Sequence, residues 1–440
     1  MSQQIPSDAT ATIDDSLREE AAYHAQVMRD LPRNFTAHLA HGMLGMTGFR
    51  LVSAPTFVPA YIYMLSSSKL AVGLALGAQF LGMALSSIWG ATLIEHRNHV
   101  MRVVYSVGWL MRLQILGLAL SAFVLSGPWA LVAACVFLAL FGFFGGMQGV
   151  TFSVLMSKVI PVTQRGRLTG MRNFMGGLTA SGVAYLGGEY LVGTNAFGNG
   201  YASTFFLAFV LTSIGISALT FVREPSSLSV RPTRSRLRQR LADAPGLLRA
   251  DPHYRGFFFA RALAALGTSA VPFYILHAGQ FVSLSGATLG YFSLAFLLSQ
   301  TISNLLWGKI ADRRGYRLVF MLSVGLWSCA TLLLIFGGAL PLFILAFCGL
   351  GAGFGGYQVA SQNFVLEFGK PHELPMLIAV SDTAAYLMMA VGPLLGGLIA
   401  TQFGYTPIFC MALTFKTMAM AMVLRIEDPR HRRRATARPR

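Results

Sequence analysis

Gly308-Lys-Ile-Ala-Asp312-Arg313-Arg314-Gly315-Tyr-Arg317 joins two apolar runs, Ala287 to Ala311 and Leu318 to Phe336. Each run is long enough to cross a bilayer as a helix of about 20 residues. No other stretch of the 440-residue chain is so specific. Around it the chain is 54% hydrophobic and only 12% charged, more apolar surface than a water-soluble core can hide. Further runs of the same kind lie at Phe35 to Tyr63, Leu70 to Ile94, Val100 to Leu125, Trp129 to Ile160, Leu168 to Val192 and Tyr201 to Val222, and at Gly256 to Val282, Pro341 to Leu366, Pro375 to Thr401 and Tyr405 to Leu424. Short polar or Gly/Pro-containing breaks separate them. The pattern predicts an all-α membrane protein of twelve transmembrane helices.

The net charge of +17 would point to nucleic acid in a soluble protein, but here its placement carries the information. Arg97 and Arg102 follow the second run, Lys158, Arg165 and Arg167 the fourth, Lys309, Arg313, Arg314 and Arg317 the eighth, and Lys370 the tenth. The sixth break carries Arg223, Arg231, Arg234, Arg236, Arg238, Arg240 and Arg249, whereas the odd-numbered breaks hold Lys69 as their one basic residue. Basic loops mark the cytoplasmic side of a membrane, so both termini are predicted to be cytoplasmic and no nucleic-acid partner is expected. Residues 1–33 are polar, with no apolar h-region, and read as a cytosolic tail; residues 426–440 read as a second, basic one. The four cysteines, Cys135, Cys329, Cys348 and Cys410, fall inside the runs at no metal or redox spacing. They read as small core residues, and neither a metal nor a cofactor is predicted. The preference for Arg over Lys hints at a GC-rich bacterial genome, hence a bacterial inner membrane.

The chain copies itself. Phe144-Gly-Gly-Met-Gln148 in the fourth run matches Phe354-Gly-Gly-Tyr-Gln358 in the tenth, and Pro161 matches Pro371, with 354−144, 358−148 and 371−161 all equal to 210. Trp89-Gly90 corresponds to Trp307-Gly308, and Gly187-Gly188 to Gly396-Gly397. The repeat divides the chain into a first six-helix bundle, residues 34–223, a basic linker, 224–254, and a second bundle, 255–425. A stretch from Arg236 to Leu248 in the linker is suited to an amphipathic helix on the membrane surface. Repeated halves are the usual architecture of carriers that rock about a central site.

Six runs, a long basic loop, six more runs and the Gly-x-x-x-Asp-Arg-x-Gly-x-Arg pattern at Gly308, Asp312, Arg313, Gly315 and Arg317 together resemble the major facilitator superfamily, over about Asn34 to Arg425. The resemblance implies two pseudo-symmetric six-helix bundles, a small-molecule substrate, a lipid bilayer around a monomer, and no enzymatic activity. It also implies that the loop is a gate latch and not the substrate site. In chemical terms, Gly308 would let two helices approach, Gly315 would permit the turn, and Asp312 would accept hydrogen bonds at a neighbouring helix N-terminus. A plain topology-setting loop is the alternative. The first-half copy departs from the pattern: Glu95 stands for the Asp and Asn98 for the Gly, with one extra residue between, which predicts a weaker latch there. Proton-coupled exporters of the superfamily often carry an arginine where this chain has Gly145, and a Gly-Pro-x-x-Gly-Gly in the fifth span, where it has Val183-Ala184-Tyr-Leu-Gly187-Gly188. The intact version, Gly392-Pro-Leu-Leu-Gly-Gly397, sits in the eleventh.

An ionisable side chain inside a bilayer costs a few kcal/mol or more, so each one is a functional candidate. At about 1.5 Å per residue, Arg50 lies about 22 Å into the first span, among Gly42, Gly45, Gly48, Ser53, Pro55 and Pro59. A broken first helix with a mid-membrane cation suits an anionic substrate group; a buried pair with Glu189 is the alternative. Arg112 is deep but on a helix expected at the outside of its bundle, which favours structural pairing. Arg172, Arg261 and Lys416 are expected to snorkel. Proton coupling needs a carboxylate, and the candidates are Asp382, about 10 Å into the eleventh span, and Glu189. Asp382 matches Asn173 by the offset of the Gly-Gly pairs (396−187 = 382−173 = 209), which also suits a place in the gate.

By the same resemblance the first, fourth, seventh and tenth spans line the cavity, which makes Tyr61, Gln148, Tyr274, Tyr357, Gln358 and Gln362 substrate-binding candidates beside Arg50, with interhelical hydrogen bonding as the plainer role for the glutamines. The function expected is secondary active transport of a small organic solute carrying an anionic or carboxylate group, with protons as a candidate coupling ion. Export of amphipathic compounds and a non-transporting sensor or assembly factor are the competing expectations.

Overall fold

A computed structural model describes residues 7–94, 97–226, 245–368 and 374–427, and every regular element among them is helical. Helix α1, Ser7–Ser53, begins in the polar N-terminal segment and continues into the first span with Pro32 inside it. The span breaks over Ala54–Thr56, where Pro55 removes a backbone donor, and resumes as α2, Phe57–Ser66. The first bundle is completed by α3, Lys69–Ile94, α4, Met101–Val124, α5, Gly127–Val159, α6, Val162–Leu186, and α7, Gly200–Ser217. A single π-helical turn, Gly187–Val192, extends α6. The seventh span is broken like the first, into α8, Pro252–Leu266, a tight turn at Gly267–Ala270, and α9, Val271–Ala278. The second bundle continues with α10, Gly286–Arg314, α11, Tyr316–Phe336, α12, Leu340–Phe364, α13, Leu374–Phe403, and α14, Tyr405–Leu424. Glu95, Pro371, most of the linker and the C-terminal tail lie outside the described residues, as does most of the stretch Arg236 to Leu248, of which 245–248 are helical.

Ten described helical segments are long and apolar enough to cross a membrane, and the protein is a multi-pass integral membrane protein. The first and fifth spans fall short of that criterion for physical reasons. The first is broken, and the fifth carries Arg165, Arg167, Arg172 and Asn173. Both face the other half of the molecule and not lipid alone, so neither needs to be apolar all round.

The sequence repeat is visible in the packing. Gly142 lets α5 meet the backbone of α3 at Gln79, and Gly351 lets α12 meet α10 at Phe296. One turn on, Gly146 faces Ser86 while Gly355 faces Asn304. A Cβ at any of the four would enter its neighbour, so small residues set the interhelical distance in both bundles.

The two bundles meet along α3 with α13, α6 with α10, and α2 with α9. The contacts run from the face opposite the basic loops to mid-membrane. Lys69 Nζ donates to the carbonyl of Ala400 at 3.0 Å, the hydroxyls of Thr56 and Ser293 share a hydrogen bond at 2.7 Å, and the Tyr185 and Tyr291 rings lie 5.4 Å apart. Toward the basic face the bundles separate: Gly149, Gly166, Gly170 and Gly308 all border open space. The molecule is therefore closed on one side and open on the basic side.

Candidate functional site

Arg50 marks the point where the closed seam ends. It reaches from α1 across to α10, where its Nη1 donates to Thr301 Oγ1 at 3.2 Å. Gly177 on α6 makes this possible, because a side chain there would occupy the space of both the Thr301 hydroxyl and the Arg50 guanidinium. Thr301 in turn donates to the carbonyl of Leu297 at 2.7 Å. Arg50 is half-buried and forms no ion pair among the described residues. Glu189, in the π-helical turn nearer the closed face, does not pair with it. Arg50 thus sits where the bundles meet, with the neutral Thr301 hydroxyl as its side-chain hydrogen-bond partner among the described residues, and a guanidinium is a fork suited to a carboxylate or phosphate.

The expected gate loop forms the turn between α10 and α11 on the basic face. Gly315 has φ +88°, ends α10 and begins α11, which accounts for a glycine at the turn. Asp312, Arg313 and Arg314 are exposed at the end of α10. Arg317 holds the two ends of its own bundle together, donating from Nε to Val423 O at 3.2 Å and from Nη2 to Leu424 O at 2.8 Å at the C-terminus of α14. One expectation is corrected: Gly308 does not bring helices together in this conformation, since the space where its Cβ would lie is empty. The close approach occurs at its counterpart Gly90, which meets the backbone of Met147.

The remaining buried charges are not snorkelling. Arg261 is 6% exposed and donates to Ser381 Oγ at 2.7 Å and to Asp382 at 2.5 Å. Asp382 itself is about one-third open, its side chain 36% exposed, on the basic-face half of α13. Lys416 is fully buried inside the second bundle: its Nζ lies 3.9 Å from the centre of the Trp327 ring and 3.4 Å from the Tyr274 hydroxyl. Arg112 is also fully buried, but its partners are the carbonyls of Thr212 at 2.7 Å and Gly108 at 2.6 Å and the Phe49 ring, not a carboxylate. Arg172 lies against Gly42 with its guanidinium 4.6 Å above the Phe152 ring. A helix interior with neighbours on all sides offers these side chains carbonyls and aromatic faces closer than the headgroups.

The predicted polar and aromatic candidates divide in two. Gln358 and Gln362 are exposed on α12, and Gln358 accepts from Gln300 Nε2 at 3.2 Å. Tyr61 packs inside the first bundle between Tyr201 and Phe205, Tyr274 is the hub between Lys416, Trp327 and Thr331, and Tyr357 is buried against Phe320 and Trp327. Gln148, 8% exposed, sits with Arg112 over Gly108. Of the cysteines, Cys329 and Cys410 are exposed on the bundle surface and are not core residues. Sequence reasoning missed Thr301, Thr56 and Ser293, ordinary hydroxyls whose importance comes from facing the other half, and it passed over His38 and His41 although they stand one turn apart in a membrane span.

Comparison with known proteins bears on the whole. Residues 257–440 match the family model described as Major Facilitator Superfamily. Over 138 residues the chain is 30% identical to the multidrug resistance protein MdtG of Salmonella typhi, covering 28% of this chain and 32% of that protein, and it matches MdtG of Salmonella newport to the same extent. The match thus spans about a third of the length of these curated relatives. A solved structure of a mutant nucleoside transporter NupG superposes with a TM-score of 0.67 over 88% of this chain and 98% of that one, at 14% identity, and so shares its fold. The two repeated bundles share the fold of that structure, and residues 257–440, with the loop at Gly315, match the major facilitator superfamily in sequence.

Proposed function

We propose that the protein is a secondary active transporter of a small organic solute bearing a carboxylate or other anionic group, moved by alternating access between the two bundles. The supporting observation is Arg50, a cation at the apex of the open side whose one side-chain polar partner among the described residues is the Thr301 hydroxyl at 3.2 Å. A charge at mid-membrane without a counter-charge is costly by a few kcal/mol, and an anionic solute supplies what the described residues do not. Solute binding then competes with the bond that ties Arg50 to the other bundle, which couples occupancy of the site to separation of the halves. Gln358 and Gln362 are the proposed second-half contacts. Tyr61, Gln148, Tyr274 and Tyr357 support the site from within the bundles. We assign Asp382 to the gate, where its pair with Arg261 makes and breaks as α13 moves, and take protons as the coupling ion. The basic face is read as cytoplasmic, in a bacterial inner membrane, with both termini there and the monomer as the working unit.

The test is counterflow of labelled succinate, glucuronate and p-aminohippurate in proteoliposomes containing wild type, Arg50→Lys or Arg50→Ala. Exchange by wild type of at least one anion, reduced in the lysine variant and abolished in the alanine variant, is the expected result. Equal exchange by wild type and Arg50→Ala would overturn the assignment. A second reading, export of amphipathic compounds, is favoured by the match to the multidrug resistance protein MdtG; it predicts pumping of a lipophilic dye that Arg50→Ala leaves intact.

A further inference from the structure

His38 and His41 stand on one face of α1, and both look onto Phe152 of α5, with ring centres 5.3 and 5.2 Å away. Arg172 of α6 covers the same ring at 4.6 Å, so one phenylalanine gathers three nitrogenous side chains from two other helices. His38 is 0% and His41 5% exposed. Both ring nitrogens of His38, Nδ1 of His41 and Nε of Arg172 have no hydrogen-bond partner among the described residues. A pair of packed, neutral core histidines would be expected to have found partners. The charged groups facing the pair are Arg172 from α6 and, deeper, Arg112 from α4; α5 adds the neutral Gln148 and α7 only Gly215. No carboxylate among the described residues faces it.

Two guanidinium charges already stand beside the pocket and oppose any further cation there. An anion on Arg172 removes that opposition. Arg172 is half-buried, and the first bundle near it borders open space at Gly149, Gly166 and Gly170 on the basic side. Counted from Phe35, the histidines lie about 5 and 9 Å into the span at 1.5 Å per residue, far from Arg50 and near the mouth through which a solute leaves or enters.

We propose that His38 and His41 form a proton-binding site whose occupancy is linked to an anion held at Arg172, which makes this the coupling site of the transporter and not only a lining of its mouth. The proposal rests on the anion-transport reading above. Linkage is reciprocal: the anion favours the proton and the proton favours the anion, so the two enter the mouth together and, on the side of lower proton concentration, loss of the proton removes a positive charge beside the anion, weakens its hold and lets it leave. Proton and anion travel in the same direction, and for a singly charged solute the cycle is electroneutral.

The experiment uses the full chain in proteoliposomes with labelled glucuronate, succinate and p-aminohippurate, comparing wild type with His38→Gln, His41→Gln and the double variant. Counterflow at equal pH tests transport alone. Accumulation against a gradient of one pH unit tests coupling, since one proton per singly charged anion supports about tenfold accumulation. Wild type is expected to do both, and the double variant to keep counterflow while its accumulation ratio falls toward one; retained counterflow also shows that the variant is folded. Undiminished accumulation by the double variant overturns the histidine site, as does wild-type accumulation that ignores the pH gradient. Absence of counterflow of every probe by wild type overturns the anion-transport reading itself, and the linked site falls with it. If the double variant loses counterflow too, the single variants decide: unchanged accumulation in both overturns the proposal, and a reduced ratio in either with counterflow kept supports it.

Discussion

Lys69 donates from Nζ to the main-chain carbonyl of Ala400 at 3.0 Å and lies 4.5 Å from the centre of the Tyr405 ring, so the first bundle's one basic residue in an odd-numbered break clasps the second bundle at the closed rim. Ala400 is in the last turn of α13, where the helix dipole favours a cation. Each of the two contacts is worth about 0.5–1 kcal/mol in such a setting. Lys69→Met keeps the aliphatic stem and removes both, and is expected to shift the balance toward the form open on this side by about five- to thirtyfold. Spin-label distances across the closed rim would read the shift as a new, longer population. A distribution identical to wild type would show that the clasp contributes nothing to closure.

The seam should be equally sensitive at Gly177. Gly177→Leu places a side chain where the Thr301 hydroxyl and the Arg50 guanidinium meet. The bundle can fold without that contact, but the closed seam cannot re-form at its apex. Expected is a protein of near-normal yield and thermal stability whose counterflow falls by more than tenfold. Normal counterflow would mean that the apex tolerates separation and that Arg50 need not return to Thr301 in each cycle.

How far the sequence carried the fold, and where it stopped, follows from what each signal measures. The twelve runs, the basic breaks and the repeat depend on composition and order along the chain, and these survive in the structure as two bundles with matching glycine contacts at Gly142 and Gly351. The turn at Gly315 was legible because a positive φ demands a specific residue. Side-chain direction was not legible. Lys416 looked like a snorkelling lysine because its depth is clear from the sequence, but whether it points to lipid or inward depends on helix rotation, which a uniformly apolar span barely encodes. Tyr61, Tyr274 and Tyr357 turn into their own bundles for the same reason. Arg50 could be singled out by depth and by the flanking Pro55, whereas Thr301 could not, since nothing local distinguishes it from other threonines in spans.

Lys416 offers a test of what a buried charge does for stability. Tyr274 Oη already accepts from Trp327 Nε1 at 3.2 Å and pairs with Thr331 at 3.0 Å, so removing the ammonium leaves no stranded partner. Replacing a buried cation by an apolar side chain of similar length is commonly neutral or stabilising by about 1–4 kcal/mol. Lys416→Met should therefore unfold at an equal or higher temperature in detergent, whereas Trp327→Leu, which opens a cavity against Phe354 and Tyr357, should unfold earlier. A clear loss of stability in Lys416→Met would show that the cation–π contact outweighs desolvation here.

Glu224 makes the opposite case, a buried charge whose removal strands others. Its carboxylate accepts from the backbone N–H of Val100 at 2.8 Å and of Met101 at 2.9 Å, capping the start of α4, and pairs with Lys158 at the end of α5. The side chains are 5% and 11% exposed. Glu224→Gln leaves Lys158 with the Asn98 carbonyl at 2.6 Å as its remaining partner and weakens the cap. Breaking a buried pair from one side costs about 3–5 kcal/mol, and the carbonyl and the nearby headgroup region reduce this to about 2 kcal/mol. Lys158→Met should cost less, because Glu224 keeps its two backbone donors and the helix dipole. In the double variant no buried charge is left alone, so its loss should be smaller than the sum of the two single losses by at least about 1 kcal/mol. Thermal unfolding of the four proteins closes the cycle. Strict additivity would mean that Lys158 and Glu224 act independently and that the basic-face end of the first bundle is held by its backbone caps alone.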